Sequence, residues 1–271
     1  MRTALFWEGN ERILIDCGPD IHQQMREYRL RRPDAVLITH EHSDHYIGLD
    51  ELVSFRRCLP KDDYQPIPLY ATEKAFETIE LRFGYLMPSV FEKRVAIPGE
   101  PLNGLNTLVI PFKTYHGDVA GGSVGYALED FGSRLCYTSD FSALPEEPSV
   151  LFRPDVLVIQ AYWLNEPAFN RPNHMSFQNA LAYIRRWAPK SAYLTHIGDQ
   201  DQVPGDPANR FLKKTPPKEP LRHPTSGRIY PIPLCQEEWE RIVSEICRDR
   251  QIQTEIHVAY DGLTVEVAKP S

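Results

Sequence analysis

Short apolar, β-branched runs alternate along this chain with stretches whose apolar positions recur every three or four residues. Arg12–Asp16 (RILID) predicts a strand, stopped by Cys17-Gly18-Pro19-Asp20, with a helix over about Ile21–Leu30. Ala35–Thr39 (AVLIT) has the length and continuous apolarity of a strand buried on both faces. A histidine-rich segment follows at once, and then a helix through Leu49, Leu52, Val53 and Phe55. Ile67–Ala71 and Ala75–Phe83 predict a further strand and helix, and Val95 to Ser139 is strand-rich, with a turn at Gly121-Gly122. No helix start follows those two glycines, so they make a turn and not a phosphate loop. Asp155–Gln160 (DVLVIQ) is another buried strand, Phe177–Trp187 a helix and Ala192–Thr195 a strand. A helix at Gln236–Arg248 and strands at Thr254–Ala259 and Leu263–Val267 close the chain. No internal repeat is apparent. The alternation predicts a layered α/β architecture with mixed sheets.

Gly198 to Pro233 breaks the rhythm with proline and charge (VPGDP, KKTPPKEP, RHPTS, YPIP) and reads as a long surface excursion, a lid or an interface segment. The 271 residues would permit one or two domains. Because the candidate site residues run from His40 to His196, one domain over 1–271 is the more economical reading, with a proline-rich insertion at about 198–250.

Composition narrows the class. Apolar residues make up 42% and charged residues 25%, as in an ordinary globular protein, and no apolar run approaches the roughly 18–20 residues of a membrane span. The first residues show no signal-peptide pattern, so a cytoplasmic location is expected. Five cysteines (Cys17, Cys58, Cys136, Cys235, Cys247) form no C-x-x-C pair, which fits buried or spare thiols better than a disulfide framework. A net charge of −7 argues against a generic nucleic-acid binder, which usually carries a basic face.

The strongest chemical signal is Thr39-His40-Glu41-His42-Ser43-Asp44-His45, with four potential metal ligands directly after a buried strand. Imidazole nitrogen and carboxylate oxygen suit zinc, manganese and iron alike. His40 and His42 can point the same way, because alternate residues share a face. Asp44 and His45 sit where the next helix begins and can turn toward a neighbouring point, which divides the ligands between two adjacent ions.

The segment resembles the H-x-H-x-D-H signature of the metallo-β-lactamase superfamily. The middle position, a glutamate in the flavodiiron members, is His42 here, which favours hydrolysis over oxygen reduction. Ile13-Leu14-Ile15-Asp16-Cys17-Gly18 is similar to the aspartate motif that precedes the signature, and Ala259-Tyr260-Asp261-Gly262 to a frequent closing strand. His116, after the strand Leu108–Tyr115, looks like the third ligand, Asp140 like the aspartate that bridges both metals, and His196 like the last histidine. The resemblance implies a four-layer αβ/βα sandwich of two mixed sheets with outer helices. It implies that His40, His42 and His116 hold one divalent ion, that Asp44, His45 and His196 hold a second, and that Asp140 spans both. Two such ions, zinc or manganese with iron a further option, would activate water. Asp44 and Asp140 thereby join the catalytic set.

His174, in Asn173-His174-Met175-Ser176, resembles the extra histidine of the phosphodiesterase branch, the PhnP-like cyclic phosphodiesterases and the tRNA 3′-processing endonucleases. There it either stabilises the phosphorane-like transition state or protonates the leaving oxygen. The alternative is a surface histidine before a helix whose N-cap is Ser176. Asp16 reads as a carboxylate that orients a ligand histidine. Asp50 and Glu51 either touch the site or lie on a solvated helix face, and Tyr162 and Trp163 either line the pocket or pack in the core. His22, His223 and His257 lack the context of ligands.

The sequence departs from the resemblance in three places. Relatives usually begin with an additional strand and a glycine-rich turn before the region matching Arg2–Glu8, so either the sheet lacks an edge strand or the start is late. The cysteine zinc site common in that early segment of PhnP-like relatives is missing, so that zinc is expected to be missing too. The connection over Gly198–Arg250 is longer than usual and would reshape the entrance. The leading expectation is hydrolysis of a small or cyclic phosphodiester. The alternatives are tRNA 3′-end processing, hydrolysis of a lactone, thioester or β-lactam, and a metal-bound scaffold without turnover. Nucleic acid and membrane partners are not expected. Relatives often pair, and no residue here decides whether this chain forms a homodimer.

Overall fold

The structure is a computed structural model that describes residues 4–60, 63–198 and 216–267. The chain divides into two compact units, Arg2–Phe131 and Gly132–Ser271.

The first unit is built on five strands in the order β1-β2-β3-β4-β5: Leu5–Glu8, Arg12–Ile15, Ala35–Leu37, Ile67–Ala71 and Phe91–Val95. β1 and β2 form an antiparallel hairpin, with Glu8 opposite Arg12, and the other neighbours run parallel. The helices α1 (Ile21–Glu27), α2 (Ser43–Tyr46), α3 (Val53–Cys58) and α4 (Glu73–Phe83) connect these strands. α4 begins at Thr72, whose Oγ1 accepts from Ala75 N–H, and it buries Ala75, Phe76, Ile79 and Phe83, one stripe at helical spacing. That stripe meets Val36, Ile38, Leu49, Leu52 and Leu69 in one core cluster. Each fully buried Leu, Ile or Phe there contributes about 1.5–3 kcal/mol relative to exposure. An antiparallel pair, β6 (Leu108–Lys113) and β7 (Val124–Asp130), completes the unit.

The second unit holds β8 (Ser133–Tyr137), β9 (Val156–Gln160), β10 (Ser191–Thr195) and β11 (Glu255–Val258), parallel neighbours in that order. α5 (Phe177–Trp187) turns Phe177, Ala180, Leu181, Ile184 and Trp187 inward, and Ser176 caps it by accepting from Asn179 N–H (3.2 Å). α6 (Gln236–Asp249) buries Trp239, Ile242, Val243 and Ile246 in the same way. The α/β content expected from the sequence is there, in two mixed sheets of five and six strands with helices.

Two expectations change. The helix after the histidines is broken into α2, a 3-10 segment over Ile47–Leu52, and α3. Gly48 sits at the break, where a Cβ would lie 2.1 Å from the Gly18 carbonyl oxygen, so close packing and not helical propensity sets the path. Leu263–Val267 alternates in burial but carries no ladder, so it is not a strand. Of the proline-rich insertion, residues 199–215 lie outside the described residues. Beyond them, Ala168 N–H donates to Pro216 O, Lys218 N–H to Glu166 O, and Leu221 N–H to Asn165 Oδ1, so that stretch is pinned by backbone bonds to residues 165–168. Among the described residues no helix is long and apolar enough to cross a membrane.

Candidate functional site

In the first unit β3 delivers the histidine-rich turn. Beyond its buried end, Ile38 N–H donates to Tyr70 O (2.8 Å) and Thr39 N–H to Asp16 Oδ1 (2.9 Å). His42 then sits in extended conformation at the N-cap of α2, and His116 arrives just past β6. The rings of His40, His42 and His116 form a near-equilateral triangle, with centroids 4.8, 4.9 and 5.0 Å apart and interplanar angles of 73–77°. His42 Nδ1 and His116 Nε2 are 3.1 Å apart. Imidazoles on one tetrahedral ion at about 2.0–2.1 Å would place their centroids about 5 Å and their donor nitrogens about 3.3 Å apart. The triangle fits one such ion.

The fully buried Asp16 organises this turn. Its Oδ1 accepts from the Thr39 amide, and its oxygens lie 2.9 Å from Thr39 Oγ1 and 2.7 Å from His45 Nδ1. An ionised carboxylate only accepts, so His45 carries its proton on Nδ1 and turns Nε2 outward as a lone pair. Thr39 donates its hydroxyl proton to Asp16, which leaves that oxygen to accept from His40 Nδ1 at 3.0 Å. One carboxylate therefore prepares two histidines to ligate through Nε2. Asp44, 3.6 Å from His45 Nε2, adds an oxygen beside that nitrogen.

In the second unit, strand ends again carry the donors. Asp140 follows β8 and His196 follows β10, with Asp140 Oδ2 3.1 Å from His196 Nε2. His174 Nδ1 is 3.6 Å from the same oxygen. Carboxylate and imidazole side by side at buried strand ends suit a divalent cation. Ser139 and His196 adopt left-handed backbone (φ 56° and 53°), as Asp16 does in the first unit (φ 62°).

His174 is held on several sides. Its N–H donates to Asn170 Oδ1 and its carbonyl accepts from Asn170 Nδ2. Its ring stacks on Tyr162 (centroids 4.2 Å, 6°), and Gln160 Nε2 lies 2.7 Å from His174 Nδ1. Tyr162 is backed by Gly198, where a Cβ would fall 2.5 Å from the tyrosine ring.

Within the first unit, then, His40, His42 and His116 come together, with Asp44 beside His45; within the second, Asp140, His174 and His196 do. Asp50 and Glu51 take the solvated alternative, Asp50 accepting from Tyr85 Oη and Glu51 pairing with His22. His223 accepts from the amides of Thr225 and Ser226, and His257 stacks on Tyr193. Trp163 is buried, while Tyr162 is a ring partner of His174. All five cysteines are free thiols, and burial pushes Cys136 up to about 12. Sequence reasoning missed Thr39 and Gln160. Each is the polar residue that ends a buried apolar run, the one available signal.

Residues 11–197 match the model of the beta-lactamase superfamily domain. An octanoyltransferase of Porphyromonas gingivalis is 39% identical over 210 residues, covering 72% of this chain and 39% of that protein. A ribonuclease Z of Thermococcus gammatolerans is 33% identical over 126 residues, 45% of this chain and 39% of its own. The chain thus spans well under half the length of these curated relatives. Among solved structures, a diphosphatase of the PhnP family aligns with a TM-score of 0.67 at 23% identity, covering 98% of this chain and 84% of its own. The short form of human tRNase Z aligns at 0.58 and 20%, covering 73% and 87%.

Proposed function

The chain belongs to the metallo-β-lactamase superfamily, and on that premise we propose that it is a metal-dependent hydrolase of small or cyclic phosphodiesters. His40, His42 and His116 would hold one divalent ion, and Asp44, His45, Asp140 and His196 would supply the remaining ligands. A bound pair supplies activation of water and neutralisation of phosphoryl charge. Asp16 keeps two ligand histidines in the tautomer that ligates through Nε2.

The observation that favours phosphodiesters is His174, a histidine outside the seven ligands yet 3.6 Å from Asp140 and held in place by Asn170, Gln160 and Tyr162. Hydrolysis adds water across a P–O bond, and the departing oxygen must gain a proton or a strong hydrogen bond. An imidazole fixed beside the metal ligands supplies it.

The ribonuclease Z relatives favour a second reading, cleavage of a tRNA 3′ end by the same residues, against which the net charge of −7 weighs. Turnover of bis-p-nitrophenyl phosphate, a cyclic nucleotide, a pre-tRNA, a lactone, an octanoyl thioester and nitrocefin sorts these classes by bond. We expect phosphodiesters to be cleaved, chelation to abolish the activity, and His174→Ala to lower kcat about 10²-fold. Turnover confined to the acyl substrates, or an unchanged kcat in His174→Ala, overturns the phosphodiesterase assignment.

A further inference from the structure

We propose that Gln160 is a positioning residue that makes His174 carry its proton on Nε2. This rests on the reading above, in which His174 assists hydrolysis. Gln160 ends β9 and its side chain is fully buried. Its Oε1 accepts from two backbone amides, Phe141 N–H (3.0 Å) and Met175 N–H (2.9 Å), which follow directly on Asp140 and His174. That pair of donors fixes which end of the amide is which. Reversing it would set an NH2 group against two N–H groups at once.

With Oε1 so engaged, Nε2 is left facing His174 Nδ1 at 2.7 Å. An amide nitrogen only donates, so Nδ1 accepts and the neutral ring holds its hydrogen on Nε2. Rotating the ring by half a turn would offer a C–H to the same amide, and stacking on Tyr162 (6° between planes) fixes the ring plane. Asn170 clasps the backbone of the same residue from the other side. His174 is therefore a pre-set hydrogen-bond donor through Nε2. The contrast with His40 and His45 is complete: there a carboxylate and a hydroxyl leave Nε2 as a lone pair, and here an amide leaves it as an N–H. The same ring offers a lone pair in one setting and an N–H in the other.

The test is a two-bond 1H–15N correlation spectrum of the 15N-histidine-labelled protein, with and without metal. It is recorded at about pH 8, above the ordinary range of histidine titration. His174 is assigned by the signal that disappears in His174→Gln. The wild type should show a protonated Nε2 and an unprotonated Nδ1. Gln160→Glu keeps an oxygen for the two backbone amides and turns a second one toward Nδ1, so the His174 pattern should invert. In phosphodiester turnover kcat should then fall about 10²-fold, with KM changed less than about 3-fold, and His174→Ala should add nothing to Gln160→Glu. A wild-type spectrum with the proton on Nδ1, or a pattern that Gln160→Glu leaves unchanged, overturns the proposal. An inverting spectrum with a kcat indifferent to His174 instead removes His174 from the reaction while the control by Gln160 stands. The wild-type spectrum decides the tautomer even where the variant fails to fold.

Discussion

In the first unit Asp34 stands just before β3, and its Oδ2 accepts from Arg12 N–H (3.0 Å) while its own N–H donates to Arg12 O (2.7 Å). In the second, Asp155 stands just before β9, its Oδ2 accepting from Arg134 N–H (2.7 Å) and its N–H donating to Arg134 O (2.9 Å). Five residues beyond each aspartate stands a polar side chain, Thr39 two residues past β3 or Gln160 at the end of β9. The amide of that residue donates to a side chain four residues beyond the arginine, Asp16 Oδ1 (2.9 Å) or Thr138 Oγ1 (3.4 Å). The same backbone corner is built twice and differs in one respect. The first copy buries a carboxylate, the second only a hydroxyl and an amide. On the function proposed above, the difference sorts the roles: the buried carboxylate fixes histidines that would ligate a metal, and neutral groups fix one that would donate a hydrogen bond.

The largest expected effect breaks that contrast. Asp16→Ala strands the amide and hydroxyl of Thr39 and Nδ1–H of His45 in a sealed interior, and should cost about 1–3 kcal/mol for each stranded donor in denaturant unfolding. Thr138→Ala, at the matching position, should cost about 1 kcal/mol. Equal losses would mean that charge does not distinguish the corners. The gentler Asp16→Asn should weaken metal binding about 10–100-fold by competition with a chelating dye.

Next in size is Gly198→Ala. Its methyl meets the Tyr162 ring at 2.5 Å, and overpacking of this kind costs about 1–3 kcal/mol. Because Tyr162 stacks on His174, the ring-proton shifts of His174 should move while those of His40 and His45 stay put. Shifts spread equally over all three histidines would mean that the effect does not pass through the Tyr162 ring.

The smallest effect tests what the corners share. The Arg12 side-chain hydrogen bond holds the Asp34 carboxyl below its ordinary value. At Asp155, burial pushes upward, but Lys190 and the Arg134 amide outweigh it. Both folded-state values are lowered, so each carboxylate contributes stability in full above its ordinary value, near 3.8, and loses it as pH falls through the lowered folded value. Both groups are partly exposed, so solvent screens the gain. Asp34→Asn and Asp155→Asn should each lower the neutral plateau of the stability curve slightly and so flatten its acid limb, and a steeper limb in either variant would reverse the sign.

The first corner was legible because its donors are neighbours: three histidines in six positions speak without a fold. The second was not, since Asp140, His174 and His196 are separated by entire elements and only the family resemblance picked them out. The duplicated corner also escaped a sequence showing no internal repeat, because DAVLIT and DVLVIQ share little beyond an aspartate and apolarity. What they have in common is backbone hydrogen bonding, which has no letter. β1 was marked by Gly9-Asn10 between two apolar runs, a hairpin signal that a four-residue strand makes easy to pass over. The broken helix after His45 followed from the approach of Gly48 to Gly18, a tertiary contact that periodicity does not contain.

Asp16, Ser139 and His196 each wind against the hand that an L-residue prefers, at about 1 kcal/mol apiece. Each stands at or just past the end of a strand. Loosening of those strands lets such bends relax first, because release costs them nothing, and the side chains swing out of aim while most of the sheet persists. On the function proposed above, catalytic competence would therefore be more fragile than the fold, and a population that still shows full secondary structure would already have lost its grip on a cation.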